Sequence, residues 1–529
     1  MLRSLRRPVE LVIMYMRLIE TLLLLANLLA LFVLTVPLPR AMRWMHYWVP
    51  IALLIAVAQT LVEGVRWQMI PVYALTGLFF LVWLLQNIAS AGLPAHRLVV
   101  GLGTLGLAVS IALPMALPVF RFPHPSGPYQ IGTLTYHWVD ASRPDIFSTD
   151  PNTRRELMVQ VWYPAKSDSS SSRAPYMQDA NAVMAAFARI HHLPEFIFGH
   201  FKYVTTNALP SAPVADGEPS YPVLLFLEGA TGFRQMNTFQ IEELVSHGYI
   251  VAAIDQPGAA VDVVFPDGHQ VVGLTVAQFH DFVGPSYLPG ISAPPLNGRT
   301  LTGGSIIPYL AQDVVFTLDQ LIALNQADPN NILTGRLDMQ HVGTFGVSLG
   351  GIVVGEACRL EPRLGACLMM DAPVPTDVVE AGLTQPSMWL TRDADSMRLE
   401  RQRAGGWPEA EILAHQTTMR AAFEGLAGAG YFVQLPGAFH SNFMDIPNWS
   451  PLFSRLGITG PMDGQRAHDI INAYALAFFD RHLKGQPAAL LDGPTKQYPE
   501  VIFETRQPKS TAHEQNKRSP HPKQPQITA

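Results

Sequence analysis

One serine of this chain lies in the setting of a catalytic nucleophile. Ser348 is the central residue of a Gly-x-Ser-x-Gly pattern in the segment Gly346–Gly351. The apolar run His341–Phe345 before it predicts a strand, and the run Ile352–Leu360 after it predicts a helix. This strand–turn–helix context exposes the serine hydroxyl on a sharp turn, where it can attack an acyl carbonyl. The alternative interpretation is a glycine-rich turn that binds nothing.

The residues next to the serine fit the same turn. Gly346 and Gly350 lie where a sharp turn leaves no space for a Cβ atom. The N–H of Leu349, at the positive end of the following helix, points to where negative charge develops on a reacting carbonyl. We therefore predict that Leu349 supplies one donor of an oxyanion hole.

A serine hydroxyl needs a base, and the base needs an acid partner, to react at neutral pH. His440 follows the last predicted strand and precedes the last predicted helix, so its loop can reach over the turn. Asp371, Asp393 and Asp395 each follow a predicted strand. The chain order serine, acid, histidine is that of the α/β-hydrolase fold, and it permits all three aspartates.

The second oxyanion donor is expected in the loop Glu228–Arg234, which follows another predicted strand. Gly229 and Gly232 allow this backbone to approach a reacting carbonyl, and the N–H of Ala230 is the candidate donor. The same residues would also suit an ordinary glycine turn.

Short apolar runs alternate with helical patterns after residue 122, which predicts a mostly parallel sheet with helices on both faces. The strand signals are Glu156–Tyr163, Val223–Leu227, Tyr249–Ile254, His341–Phe345, Ala366–Met370, Met388–Thr391 and Tyr431–Leu435. The helical patterns are Phe239–Ser246, Leu310–Leu324, Ile352–Leu360, Glu409–Leu426 and Ala467–Leu483. We predict one α/β-hydrolase domain over residues 123–504, with a cap inserted near 257–305, where the connection is unusually long. Residues 505–529 are polar and predict a disordered tail.

The beginning of the chain has a different composition. Residues 1–120 hold eight arginines and three glutamates, whereas the rest holds 28 basic and 39 acidic residues. Four uncharged runs are long enough to cross a bilayer as helices, and aromatic residues lie near their ends. The runs are Thr21–Val36, Trp44–Val62, Met69–Ala89 and Leu98–Phe120. We predict about four transmembrane helices over residues 1–122. Buried core helices are the alternative, and Glu20 and Asn27 would also suit an interfacial helix in the first run.

Four spans return the chain to the side on which it begins. Arginines at 3, 6, 7, 17, 66 and 121 against those at 40, 43 and 97 slightly favour the cytoplasm for that side.

The net charge of −6 supplies no basic field for nucleic acid. The two cysteines, Cys358 and Cys367, allow neither a disulfide scaffold nor a cysteine zinc site, and we expect them in the core.

An ordered set of motifs extends from about Gly127 to Gly485. The motifs are Val161–Ala165, Pro222–Arg234, Ser246–Asp255, Gly346–Gly351, Met370–Ala372, His440–Asp445 and Phe478–Gly485. In this order they resemble the α/β-hydrolases of the platelet-activating-factor acetylhydrolase family, of the plasma and intracellular type II kind.

The resemblance implies a triad aspartate in the Met-Asp-Ala motif, which selects Asp371 over Asp393 and Asp395. It also implies an ester hydrolase without metal or cofactor, active on short or oxidised acyl chains of phospholipids. The family usually has His-Gly where this chain has Glu228-Gly229. The four-span block is absent from its familiar secreted and lipid-anchored members.

Three functions follow as hypotheses. The first is a membrane-anchored serine ester hydrolase for short-acyl lipid or phospholipid esters, with the bilayer and the ester as partners. The second is a general carboxylesterase or dienelactone-type hydrolase of small soluble esters. The third is a non-catalytic membrane protein with a relict hydrolase domain, although no member of the triad is missing. The sequence predicts no oligomeric state.

Overall fold

Four long apolar helices form the first part of the protein, as the uncharged runs predict. The computed structural model describes residues 16–89, 96–167, 172–288 and 290–508. The four helices are α1 (Leu18–Thr35), α2 (Trp48–Val62), α3 (Ile70–Ala89) and α4 (His96–Ala116). With the short 3₁₀ turns before α2 and α3, each is long and apolar enough to cross a membrane. Many of their large apolar side chains are exposed, as expected of helices that face lipid.

The polar residues of α1 find partners inside this bundle. Asn27 Nδ2 donates to Thr76 Oγ1 at 2.8 Å. The fully buried Glu20 accepts two hydrogen bonds of 2.7 Å from the guanidinium of Arg66. Because buried polar groups in a helical bundle need such partners, these contacts explain how α1 tolerates them. The helix packs against α2, α3 and α4 and is not the separate interfacial helix considered as an alternative.

The rest of the chain forms a ten-stranded sheet in the order β12-β11-β10-β9-β8-β4-β5-β2-β1-β3. The strands β4, β5 and β8 to β11 are parallel. Strand β2 pairs antiparallel with β1 and β5, β12 pairs antiparallel with β11, and β3 pairs parallel with β1. The sheet strands are β1 (Gln130–Pro144), β2 (Arg154–Ala165), β3 (Leu209–Pro210), β4 (Tyr221–Leu227), β5 (Ile250–Asp255), β8 (Leu337–Val347), β9 (Leu364–Met370), β10 (Ser387–Thr391), β11 (Gly430–Gln434) and β12 (Ile502–Arg506). A separate hairpin contains β6 (Asp262–Val264) and β7 (Gln270–Val272). All seven predicted strands are present.

Helices cover both faces of the sheet, because the central strands are apolar on both sides. One core cluster contains buried residues of α5, α6 and α14, and the other contains buried residues of α7, α8, α9 and α12. The helices are α5 (Ala180–Ile190), α6 (Thr238–Ser246), α7 (Val276–Val283), α8 (Ile307–Gln326), α9 (Leu349–Leu360), α10 (Thr376–Ala381), α11 (Ala394–Ala404), α12 (Glu409–Gly425), α13 (Ile446–Trp449) and α14 (Gly464–Leu483).

The end of the domain lies slightly later than predicted. Strand β12 pairs with β11 as far as Arg506, so residues 505 and 506 belong to the sheet and not to the polar tail. The buried side chain of Phe503 and the ion pair between Glu504 and Arg420, 2.7 Å apart, hold this edge strand. The predicted tail from residue 509 onward lies outside the described residues.

The two cysteines are buried, and they are also bonded to each other. The disulfide joins Cys358 near the end of α9 to Cys367 in β9. Their Cα atoms are 6.6 Å apart, because the helix turns directly into the neighbouring strand. Both cysteines were expected in the core, and the bond between them was not predicted.

Candidate active site

The turn between β8 and α9 holds Ser348 in a strained conformation, with φ 57° and ψ −123°. A Cβ atom on Gly346 would lie 2.5 Å from the carbonyl carbon of Gly350. A Cβ atom on Gly350 would lie 2.1 Å from the carbonyl oxygen of Leu227. Both positions therefore require glycine for steric reasons, and the turn has the geometry that its sequence pattern predicts.

Asp371 and His440 meet although 69 residues separate them. Asp371 directly follows β9, His440 lies on the loop after β11, and His440 Nδ1 donates to Asp371 Oδ2 at 2.5 Å. Burial would raise the pKa of Asp371, but the charge of Arg392 and the hydrogen bond from His440 outweigh it. The pKa of Asp371 is therefore well below its usual range, and the carboxylate is ionised.

Ser348 and His440 line the same cavity. Among the described residues, Ser348 Oγ has no hydrogen-bond partner, so the serine is not bonded to the imidazole. Such catalytic hydrogen bonds are often long or absent before the substrate binds and form in the complex. The structure thus brings the two side chains to one site and leaves the serine hydroxyl free.

The loop after β4 lies against the serine. A Cβ atom on Gly229 would lie 3.2 Å from Ser348 Cβ, and Ala230 lines the cavity. The next two N–H groups are occupied, since Thr231 donates to Ala259 O and Gly232 donates to Gly229 O, each at 2.9 Å.

The two predicted oxyanion donors have no internal acceptor. Within the part of the chain that the structure describes, the N–H groups of Ala230 and Leu349 both lack a hydrogen-bond partner. Leu349 is the first residue of α9, so its N–H is one of the unpaired groups at a helix start. These two donors remain available for a carbonyl oxygen at the site.

The other two candidate acids face away from His440. Asp393 caps the N-terminus of α11, where its Oδ1 accepts from the N–H of Ser396 at 2.7 Å. Asp395 is exposed and pairs with Arg398 at 2.9 Å. Both have ordinary helix-start roles, and Asp371 is the one of the three that contacts the histidine.

Glu228 points away from the oxyanion donors. Its Oε1 accepts from the N–H of Gln256 at 2.9 Å, and the nearby Arg234 pairs with Asp255. Burial and the nearby charge of Asp255 raise the pKa of Glu228 well above its ordinary value. We expect the side chain to be neutral, so it does not repel negative charge that develops on a substrate.

Glu228→Gln should make the protein more resistant to alkaline pH. A carboxyl whose pKa is raised by folding stabilises the native state below its unfolded pKa, and that contribution is lost as pH rises through the folded pKa. Glutamine removes this loss, so the advantage of the variant should grow as pH rises above the ordinary pKa of a glutamate, by at most about 1.4 kcal/mol per pH unit. Unfolding measured against pH tests this, with the exposed Glu218→Gln as control. Parallel curves for Glu228→Gln and the unsubstituted protein would contradict the assignment.

Three residues beside Asp371 and His440 were not predicted from the sequence. Arg392 Nε lies 2.9 Å from Asp371 Oδ2, and the Arg392 guanidinium also pairs with Glu400 and lies over the ring of Trp407. The N–H of His440 donates to Glu400 at 3.4 Å. Two carboxylates, those of Asp371 and Glu400, thus lie beside the single guanidinium of Arg392.

Sequence signals could have identified only part of this group. Arg392 directly follows β10, and polar residues at the ends of parallel strands commonly face a site. Glu400 lies on α11 and Trp407 on the connection to α12, where no motif distinguishes them from surface residues.

The cavity beside Ser348 has a volume of about 380 Å³ and mostly apolar walls. The walls come from α5, from the segment 191–198 and from the loop 441–458. Their large side chains include Phe187, Leu193, Phe198, Met444, Trp449 and Phe453. Of the described residues, none between 257 and 305 lines it, although this segment was the predicted cap. Phe279 and Phe282 of α7 are instead packed into the core next to α8.

The chain is similar to known ester hydrolases. Residues 116–265 match the family described as platelet-activating factor acetylhydrolase, isoform II. A probable 1-alkyl-2-acetylglycerophosphocholine esterase of Arthroderma benhamiae is 25% identical over 423 residues, which cover 75% of this chain and 96% of the relative. The platelet-activating factor acetylhydrolase of Cavia porcellus is 23% identical and matches over 74% of this chain and 86% of its own length.

A solved structure is also similar to this chain. The ferulic acid esterase of Streptomyces cinnamoneus has a TM-score of 0.56 and 27% sequence identity. The match covers 73% of this chain and 99% of the esterase.

The sheet, the serine turn and these similarities define an α/β-hydrolase that acts as a carboxylic ester hydrolase. Within this class the chain is similar to the platelet-activating factor acetylhydrolases, which confirms the resemblance predicted from its motifs. The four long apolar helices precede that hydrolase domain.

Proposed function

We propose that this protein is a membrane-anchored serine hydrolase that cleaves short-acyl lipid and phospholipid esters through Ser348, His440 and Asp371. One observation carries the proposal. The 2.5 Å hydrogen bond from His440 to the buried Asp371 is made beside the cavity that Ser348 and His440 both line. The similarity to an acetylglycerophosphocholine esterase supports the lipid ester as substrate class.

In the proposed reaction, His440 Nε2 takes the proton of Ser348 while the serine oxygen attacks the acyl carbonyl carbon. The carbonyl electron pair moves onto oxygen, where the N–H groups of Leu349 and Ala230 stabilise it. His440 then gives its proton to the leaving oxygen, the alcohol departs, and an acyl-serine remains. Water repeats the sequence and releases the acid. Asp371 keeps Nδ1 protonated and stabilises the positive imidazole throughout.

The cavity supports a short acyl chain. Its volume of about 380 Å³ is near the lower end of the range for small-molecule sites, and its walls are mostly apolar.

A second candidate function is that of a general carboxylesterase for small soluble esters. The similarity to an enzyme named as a ferulic acid esterase is the observation that favours it.

The four apolar helices support membrane anchoring. The disulfide indicates on which side of the membrane the catalytic domain lies. Disulfides persist in oxidising compartments and are rare in the cytosol. The bond between Cys358 and Cys367 therefore favours the oxidising side for the catalytic domain. The disulfide is a stronger indication than the slight arginine excess that favours the cytoplasm. We therefore propose that the catalytic domain lies on the oxidising side.

A membrane-impermeant fluorophosphonate probe tests the nucleophile and the side together. Applied to intact cells that express the full chain, it should label the protein before lysis and should not label Ser348→Ala. Label that appears only after lysis would contradict the proposed side. No label at all would favour the relict domain.

Protein that has not been exposed to the probe is then assayed with two esters, an acetyl phosphatidylcholine in vesicles and p-nitrophenyl acetate in solution. The proposal expects turnover of both. Turnover of the soluble ester alone would favour the general carboxylesterase.

A further inference from the structure

The walls of the active-site cavity are bonded directly to the ends of the membrane helices. Trp67, at the start of the third span, donates its Nε1 hydrogen to the carbonyl of Ile197 at 3.1 Å. Ser450 Oγ donates to the carbonyl of Ala116, the last residue of α4, at 2.6 Å. The neighbours of these contacts, Phe198 and Trp449, both line the cavity beside Ser348. Two separate wall segments are thus attached to the bundle.

Further contacts make this junction rigid. Tyr203 donates to the carbonyl of Val65 at 2.9 Å, and the Gln68 amide is 2.9 Å from His200 Nδ1. Arg66, buried and bonded to Glu20, also donates to the carbonyl of Leu117 at 3.1 Å. The Gln68–His200 contact is buried and the others lie along the same junction. Because the domain is bonded to the bundle at several points, the cavity has a fixed position relative to the bundle.

An apolar rim lies where the wall meets the bundle. Leu193 lines the cavity and is 42% exposed, and Phe196 is 58% exposed. The ring of Phe196 packs edge-on against Trp67, with 5.4 Å between centroids. Large exposed apolar side chains next to a tryptophan at a helix end are typical of the membrane interface. Val62 and Val65 continue the exposed apolar surface onto the bundle.

We infer that this rim, formed by Leu193 and Phe196, lies in the boundary between lipid headgroups and acyl chains. The ester substrate then enters the cavity from the bilayer and not from bulk water. The bundle acts as part of the entrance as well as an anchor. The inference rests on the proposed function. The partner of the rim is the same membrane in which the four helices lie.

The depth of the rim in the bilayer can be measured by fluorescence quenching, without an activity assay. Both natural cysteines are bonded to each other, so a bimane label attaches to a single new cysteine at Phe196→Cys. Leu413→Cys is the matched control, because Leu413 is 52% exposed on α12, which packs beside β11. The full chain is reconstituted in phosphatidylcholine vesicles that contain a doxyl-labelled phosphatidylcholine. The label at 196 should be quenched strongly and the label at 413 should not be; equal quenching, or none at 196, would overturn the inference.

Activity provides the second readout. Phe196→Ser should lower the ratio of acetyl phosphatidylcholine turnover in vesicles to p-nitrophenyl acetate turnover by about tenfold, the scale of losing one buried aromatic side chain. Leu413→Ser should leave that ratio unchanged. An unchanged ratio for Phe196→Ser would count against entry from the bilayer. Failure of the proposed function would instead abolish turnover of the lipid in every variant while leaving the quenching result intact.

Discussion

Ser348→Ala is expected to lower kcat by on the order of 10⁴–10⁶-fold for any ester that the protein cleaves. The substitution removes the attacking oxygen and keeps the Cβ atom that the strained turn already holds at φ 57°. The oxyanion donors and the cavity remain, so a small residual rate over water should persist. Steady-state kinetics with p-nitrophenyl acetate and an acetyl phosphatidylcholine measure the effect.

The loss must come from chemistry and not from unfolding. Thermal unfolding of Ser348→Ala should occur within a few degrees of the unsubstituted protein, because no hydrogen bond of the serine hydroxyl is lost in the described structure. Ser286→Ala, which removes a hydroxyl bonded to the carbonyl of Val283, is a control far along the chain from the triad. Turnover that survives in Ser348→Ala would end the proposal of a serine hydrolase.

Asp371→Asn is expected to lower kcat by about 10⁴-fold. Asparagine tolerates the positive φ of 45° at this position, so the backbone should not change. Its amide nitrogen would donate to His440 Nδ1, which places the imidazole proton on Nε2 and prevents that atom from accepting the proton of Ser348. Kinetics over a range of pH should show the loss at every pH where the unsubstituted protein is active.

Asp393→Asn is the matched control for that experiment. Asparagine caps a helix as well as aspartate does, so the hydrogen bond from the N–H of Ser396 is preserved and stability should change little. Activity should stay within about twofold, since surface substitutions away from a site have small effects. A large loss in Asp393→Asn together with normal activity in Asp371→Asn would reverse the assignment of the acid.

The elements that position the site could be predicted from short stretches of sequence. Strands β4 and β9 are apolar runs, and the second half of β8 is mostly apolar and buried. The turn at Ser348 is recognisable from its local glycine pattern, although the space at Gly350 is limited by Leu227 of β4. The four apolar helices follow from length and absence of charge alone. Each of these signals is contained in the segment that forms the element.

The long β1 strand and β12 were not predicted. The exposed residues that alternate with buried ones in Gln130–Pro144 weaken the apolar signal, although the strand forms 12 residue pairs with β2. The polar segment Ile502–Arg506 is a strand only because β11 offers a free edge. In both cases the partner strand decides the structure, which is why local sequence did not.

The chain by itself determined the class of the protein, the position of the proposed nucleophile and the order in which the triad candidates follow it. Tertiary structure alone decided that Asp371 meets His440, that Arg392 and Glu400 surround this pair, and that the cavity walls come from residues near 191–198 and 441–458 rather than from 257–305. The physical reason is the range of the interactions. Periodicity and turn sterics act within a few residues, whereas charge pairs, cavity walls and the attachment to the membrane helices join segments that lie far apart along the chain.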